Sequence, residues 1–171
     1  MAQGAGLASN GQDGDAMFRG VSELALDAKG RLAIPAKHRD LLARRAPDAD
    51  PAAPASVVIT ADPSRCLLVY PRAAWEPIQA RLMALSSFNP EIRALQRLLV
   101  GFADDVDIDG NGRILVPPAL RAYASLEHRV VLAGQGQKFE LWDAARWNEA
   151  TARAVAFPAG GLPPELDGFS L

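Results

Sequence analysis

Leu24-Ala-Leu26-Asp27-Ala-Lys29-Gly30-Arg31-Leu32-Ala-Ile34-Pro35-Ala-Lys37-His38-Arg39 is written twice in this chain. It returns 82 residues later as Val106-Asp-Ile108-Asp109-Gly-Asn111-Gly112-Arg113-Ile114-Leu-Val116-Pro117-Pro118-Ala-Leu120-Arg121. Asp, Gly, Arg, Pro and a closing Arg fall at matching places, 27/109, 30/112, 31/113, 35/117 and 39/121. Apolar residues match at 24/106, 26/108, 32/114 and 34/116, alternating with period two as half-buried strands do. The segment between them is a tight turn with its own logic. Asp at the first position accepts hydrogen bonds from the amides two and three residues on. Gly at the fourth tolerates the positive φ of a bulged hairpin. Arg then opens the outgoing strand with its guanidinium near the tip. One such turn reads as a stable hairpin with a solvated Arg. Two with the Arg in the same place point to a duplicated working surface.

The repeat runs on past the turn. Val57-Val58-Ile59 matches Val130-Val131-Leu132, and Leu67-Leu-Val69-Tyr70 followed by Trp75 matches Phe139-Glu-Leu141-Trp142 followed by Trp147. By this last match the offset has fallen to 72, so copy one carries ten extra residues. They fall in Ala46 to Ser56, an Ala/Pro/Asp stretch that reads as a loop insertion, because Pro and Asp disfavour helix and strand interiors. Each copy therefore reads strand, turn, strand, short helix, strand, turn, strand, helix. Pro35 and Pro117-Pro118 end the second strand and suit the first turn of the short helix, where a missing N–H costs nothing.

Between the copies lie two helical stretches. Trp75, Ile78, Leu82 and Leu85 form one apolar stripe. Asn89-Pro90-Glu91 is a helix start, with a cap, a rigid first residue and an acid at the positive dipole end. Ile92, Leu95 and Leu99 then form its inner face, Arg93 and Arg97 stand on another, and Gly101 stops the helix. The organisation expected is a disordered tail over 1–16, a first β unit over 17–75, connecting helices over 76–102, a second β unit over 103–149 and an irregular tail over 150–171. The fold class is α+β and β-rich.

Composition narrows the function. At 49% hydrophobic and 22% charged the chain is an ordinary soluble one. A lone cysteine, Cys66, excludes an internal disulfide and a cysteine-based zinc knuckle, and fits a reducing cytoplasm. No apolar run approaches the roughly 20 residues that span a bilayer, and residues 1–16 lack the basic and apolar regions of a signal peptide. The net charge of −2 argues against a uniformly basic nucleic-acid binder, but the charge is unevenly spread. Lys29 to Arg45 holds six basic side chains against one acid, Asp40, whereas Asp104 to Arg121 holds four Asp and two Arg.

Asp105-Val-Asp107-Ile-Asp109-Gly110 imitates the start of a calcium-binding EF-hand loop. The twelfth position, which needs a bidentate Glu, is Val116, and the apolar eighth is Gly112. The segment is read instead as a strand with outward acids. His38 and His128 lack neighbours of metal-ligand type, and Cys66 reads as core. Gly134-Gln-Gly136 reads as a hairpin turn, and Trp75, Trp142 and Trp147 as packing anchors. No constellation supports catalysis, and no cofactor or metal is expected.

Met17-Phe-Arg-Gly20, Asp27-Ala-Lys-Gly-Arg31-Leu, Pro35, Arg39, Leu67-Leu-Val-Tyr-Pro71, Trp75, Ser86-Ser87-Phe-Asn89-Pro90, Arg97, Gly101, Asp109-Gly-Asn-Gly-Arg113, Pro117 and Lys138-Phe-Glu-Leu-Trp142 together resemble the MraZ family, over about residues 17 to 149. The resemblance implies two tandem AbrB-like swapped-hairpin β units forming a pseudo-twofold double domain with connecting helices. It implies a bacterial DNA-binding transcriptional regulator of the division and cell-wall gene cluster, acting on double-stranded DNA at repeated promoter boxes. It implies a ring-like homo-oligomer in the cytoplasm and nucleoid, with no membrane partner. The family's DNA-contacting motif falls on Asp27, Lys29 and Arg31, and again on Asp109 and Arg113, with Asn111 where the first motif has Lys29. The rival is an AbrB-like protein-interaction module, antitoxin-like, which the short stretch after Phe157 disfavours.

Overall fold

The computed structural model describes residues 17–44, 54–155 and 164–166. The first half contains strands β1 (Phe18–Ala25) and β2 (Arg31–Ala33), helix α1 (Ala36–Arg44), strands β3 (Ser56–Ala61) and β4 (Leu67–Pro71), and helix α2 (Arg72–Ala84). Helix α3 (Pro90–Leu99) leads to the second half: β5 (Asp104–Asp107), β6 (Arg113–Leu115), α4 (Pro118–Tyr123), β7 (Arg129–Gly136), β8 (Lys138–Asp143) and α5 (Ala144–Val155). A single 3-10 turn follows at Pro164–Leu166. The element order expected from the repeat is present in both halves. The expected tail over 1–16 lies outside the described residues, as does most of the insertion at Ala46 to Ser56. Residues 150–155 belong to α5, so they are helical rather than part of the irregular tail expected from 150.

The halves do not fold side by side. They exchange strands. One antiparallel sheet runs β1-β7-β8-β4-β3-β5, and β2 pairs only with β6. The first strand of each half thus pairs with the third strand of the other, Leu24 opposite Val130 and Val106 opposite Val57. β4 meets β8 at the centre with Leu68 opposite its own counterpart Glu140, and the pairs Leu67–Leu141 and Val69–Phe139 on either side are exchanged by a pseudo-twofold axis. In the small sheet Leu32 sits opposite its own counterpart Ile114. The hairpin expected at each repeated turn is therefore not a ladder. The chain just after β1 meets β2 at one isolated bridge, Leu26 to Leu32, because each arm of the turn is claimed by the other half.

The inner strands are buried on both faces, which explains their unbroken apolar runs. Val57, Ile59, Leu67 and Val69 point into the central core with Leu32, Ile34, Ile114, Val116, Leu132 and Leu141. Val58, Leu68 and Tyr70 point the other way, onto Trp75, Ile78 and Leu82 of α2 and Leu99 of α3. Cys66 of the first half joins Val131 and Trp142 of the second, and together they gather Trp147 and Ala150 of α5. The tryptophans are packing anchors and Cys66 is core, as read. Burial pushes the Cys66 thiol up, away from reactivity.

The connecting helices differ in part from expectation. Asn89 caps α3 as read, its Oδ1 accepting from the amides of Glu91 at 2.8 Å and Ile92 at 3.4 Å. Gly101 follows the helix and donates to the carbonyl of Gln96 at 3.1 Å. Leu95, expected inward, is 43% exposed and Leu85 is 49% exposed. Gln96 occupies the seam instead, donating its amide to the carbonyls of Leu82 and Leu85 at 2.9 and 3.2 Å. Asp104, Asp105 and Asp107 are exposed around buried Val106, the outward-acid strand expected in place of a calcium loop.

Leu32 and Ile114 are almost fully buried where the halves join. We expect Leu32→Ala or Ile114→Ala to lower the unfolding free energy by about 2–5 kcal/mol. Urea denaturation should show one transition for the whole chain, since neither half completes its sheet alone.

Candidate nucleic-acid interface

Turn one is clamped by a single carboxylate. Asp27 Oδ1 accepts from the backbone amides of Lys29 and Arg31, both at 2.9 Å, and Oδ2 accepts from Arg31 Nε at 2.7 Å. The amides were expected two and three residues on. They are two and four on, because the amide between them, that of Gly30, donates at 2.9 Å to the backbone carbonyl of Asp27. Turn two repeats the pattern. Asp109 Oδ1 accepts from Asn111 and Arg113 amides at 2.8 and 3.0 Å, and Oδ2 from Arg113 Nε at 3.0 Å. Gly30 and Gly112 have φ of 81° and 73°, the left-handed region that glycine enters without strain.

The clamp sets direction more than stability. An exposed ion pair contributes little, roughly 0–1 kcal/mol. Its effect here is to engage Nε of each Arg with the Asp, while the Nη groups of neither Arg form an ion pair among the described residues. The donated hydrogen bonds, that of the Arg31 amide foremost, hold the Asp27 carboxyl down at about 2. Asp109 is lowered in the same way, first by the amide of Arg113. Lys29 and Asn111 occupy the same exposed place in the two turns, and the Lys29 ammonium has no ion pair among the described residues.

The ribbon of β2 and β6 joins the turns. Arg31 lies opposite Leu115 and Ala33 opposite Arg113. Leu32 and Ile114 point into the core, so Arg31, Ala33, Arg113 and Leu115 share the outer face. Because the strands are antiparallel, the two turns stand at opposite ends of the ribbon, and the two Arg are separated by about 7 Å along it. All five residues singled out in the sequence, Asp27, Lys29, Arg31, Asp109 and Arg113, are thereby gathered on one surface.

Two further residues belong to this surface. A Cβ on Gly30 would fall 2.5 Å from Cζ of Arg121, and one on Gly112 would overlap the guanidinium of Arg39. Each turn glycine is covered by the closing Arg of the other half. The turns are also stitched across, Val116 donating to the Gly30 carbonyl at 3.0 Å and Ile34 to that of Gly112 at 2.9 Å. The match 39/121 was visible in the repeat, but its partners were not, since nothing in one sequence says that the halves interleave.

Beneath the surface, His38 is buried against Phe139, with ring centroids 4.8 Å apart, and burial lowers its pKa. Among the described residues no group of His, Cys, Asp and Glu is placed to hold a metal ion. No helix among them is long and apolar enough to cross a membrane.

The model of the family described as "MraZ protein, putative antitoxin-like" matches residues 17–98 and again 99–159, one match for each half of the exchanged fold. Proteins named transcriptional regulator MraZ align with most of the chain. That of Nitrosomonas eutropha is 56% identical over 91% of this chain and 100% of its own length. That of Nitrosomonas europaea is 53% identical over the same shares. That of Pseudomonas aeruginosa is 51% identical over 88% of this chain and 97% of its own length. The chain belongs to the MraZ family.

Two tests follow. Gly112→Ala forces a side chain into a left-handed turn and against Arg39, so it should destabilise the fold by about 1–3 kcal/mol, read by thermal denaturation. For acid, a carboxyl lowered on folding stabilises the native turn above its unfolded pKa of 3.8, and that contribution is lost as pH falls toward about 2. The amide resonances of Lys29 and Arg31 should therefore move together in that window, and not near pH 4, in an NMR titration.

Proposed function

We propose that this chain is a sequence-specific DNA-binding transcriptional regulator, contacting double-stranded DNA through Asp27, Lys29 and Arg31 at one turn and Asp109 and Arg113 at the other. The observation that carries the reading is the doubled Arg, clamped through Nε by an Asp, at both ends of one two-stranded ribbon. Arg in this state pairs with phosphate or with the acceptor edge of guanine. A two-stranded ribbon is narrow enough for the major groove, about 12 Å wide. The relatives named transcriptional regulators support the same class.

The finer terms rest on the family resemblance. The framework is a double AbrB-like fold of two swapped-hairpin units, one over 17–75 and one over 103–149, joined by the helices of 76–102. The targets are repeated promoter boxes of the bacterial division and cell-wall gene cluster, and the working form is a ring-like homo-oligomer in the cytoplasm and nucleoid. Met83, Leu85, Phe88 and Leu95, all exposed around the α2–α3 connection, supply apolar surface for self-association. Few contacts per chain bind weakly, and a ring facing repeated boxes raises avidity by multiplying them.

A gel shift on DNA upstream of the chain's own gene, at fixed salt, tests this. Arg31→Ala and Arg113→Ala should each weaken binding about tenfold or more, with assembly unchanged by light scattering. The Arg31 change should do more, because Lys29 stands beside it and Asn111 beside Arg113. Unchanged affinity in both variants would remove these turns as the contact.

A further inference from the structure

Arg121 and Arg39 are placed to do more than pack. Each reaches from its own half's short helix, or the strand-facing side of it, to the opposite half's turn and lies on the glycine there. Gly30 and Gly112 are buried beneath them while the residues around those glycines in each turn are exposed. Arg121 is steadied by Nε donating to the Val116 carbonyl at 3.0 Å. The buried Nε of Arg39 has no hydrogen-bond partner. Neither Arg has a carboxylate partner among the described residues, unlike Arg31 and Arg113 beside them.

An apolar side chain would cover a glycine at less desolvation cost than an unpaired guanidinium, whose charge persists at any relevant pH. Here the guanidinium is used twice, at equivalent places, each time next to an Arg whose Nε is already held. Arg39 and Arg121 keep donors that no carboxylate takes up among the described residues, so each turn can accept an anion beside the pair that Asp27 or Asp109 already makes. The exchange also redistributes charge. Arg39, counted with the basic first half, serves turn two, and Arg121, counted with the acidic second half, serves turn one.

We propose that Arg39 and Arg121 are phosphate-binding residues. Each turn is a composite site for a DNA phosphodiester, formed by Arg31 with Arg121 at one end of the ribbon and Arg113 with Arg39 at the other. Every site draws on both halves of the chain. This rests on the DNA-binding reading above and adds residues and a division of labour to it: the closing Arg grips backbone, whatever the base sequence.

Wild-type chain, Arg121→Gln, Arg39→Gln and the corresponding Lys variants are titrated, by fluorescence anisotropy over a salt series, against the upstream duplex and a shuffled duplex. Each Gln variant should lose about tenfold in affinity on both duplexes, the loss expected of one charge-assisted contact. The slope of log affinity against log salt should shrink by about one for each engaged turn, and the Lys variants should keep it. Folded Gln variants with wild-type affinity and slope overturn the proposal, as do Lys variants that lose the slope like Gln. Should the Gln variants fail to fold, phenylglyoxal modification of the wild-type chain decides. DNA should protect Arg39 and Arg121 along with Arg31 and Arg113, while the exposed Arg153 continues to react. Equal modification of Arg39 and Arg121 with and without DNA overturns the proposal. A wild-type chain that binds neither duplex brings down the DNA-binding reading itself, whereas wild-type binding with unaltered variants removes only the added residues.

Discussion

The antiparallel pairing of Arg31–Ala33 with Arg113–Leu115 is the constraint on which the other features depend. It is only three residues long, too short to persist as an isolated ribbon. What holds it is the burial of Leu32 and Ile114 on its inner side and the exchanged strands that flank it. Once those two strands are opposed, both turns are forced to the ribbon's ends and both short helices are carried across to the opposite turn. The glycines then meet the arginines of the other half. Fold and site are the same act of assembly: the surface that presents Arg31 and Arg113 does not exist in either half alone.

Within that frame, each carboxylate settles an orientation more than an energy. Asp27 and Asp109 are exposed, so their ion pairs add little to stability. Three acceptor contacts from one short side chain nevertheless fix the turn backbone and the rotation of the following guanidinium together. A preset guanidinium loses less conformational freedom when it meets a planar acceptor, which is how a weak local bond contributes to recognition. The buried, depressed His38 beneath the first half shows the opposite arrangement, a polar ring absorbed into an aromatic core with Phe18 and Phe139.

Much of this was legible from residues alone, because it is written in local chemistry. Period-two alternation, an Asp and a Gly at fixed offsets, a proline before each short helix and the Asn-Pro-Glu start of α3 each specify their element without outside help. The site residues Asp27, Arg31, Asp109 and Arg113 could be found because duplication marked them. The partners of the strands could not be read. Val57-Val58-Ile59 and Val130-Val131-Leu132 are near copies, so β1 has two almost equal mates in the sequence, and only the closed core discriminates between them. The same ambiguity hid the role of Arg39 and Arg121. Leu95 went astray for a different reason: its helix has an apolar stripe wide enough to allow two inner faces, and the amide of Gln96 selected between them by satisfying the carbonyls at the end of α2.

The pseudo-twofold axis through the ribbon has its own consequence. A true homodimer with this arrangement presents two identical ends, and turning it end over end changes nothing. Here the two halves are joined in one chain and differ in sequence, Lys29 answering to Asn111 and the ten extra residues after α1 having no counterpart in the second half. The ribbon therefore has a front and a back. Anything lying along it with a direction of its own meets one arrangement of charges when aligned and another when reversed, so a single chain carries polarity that a symmetric pair would have to obtain from a partner.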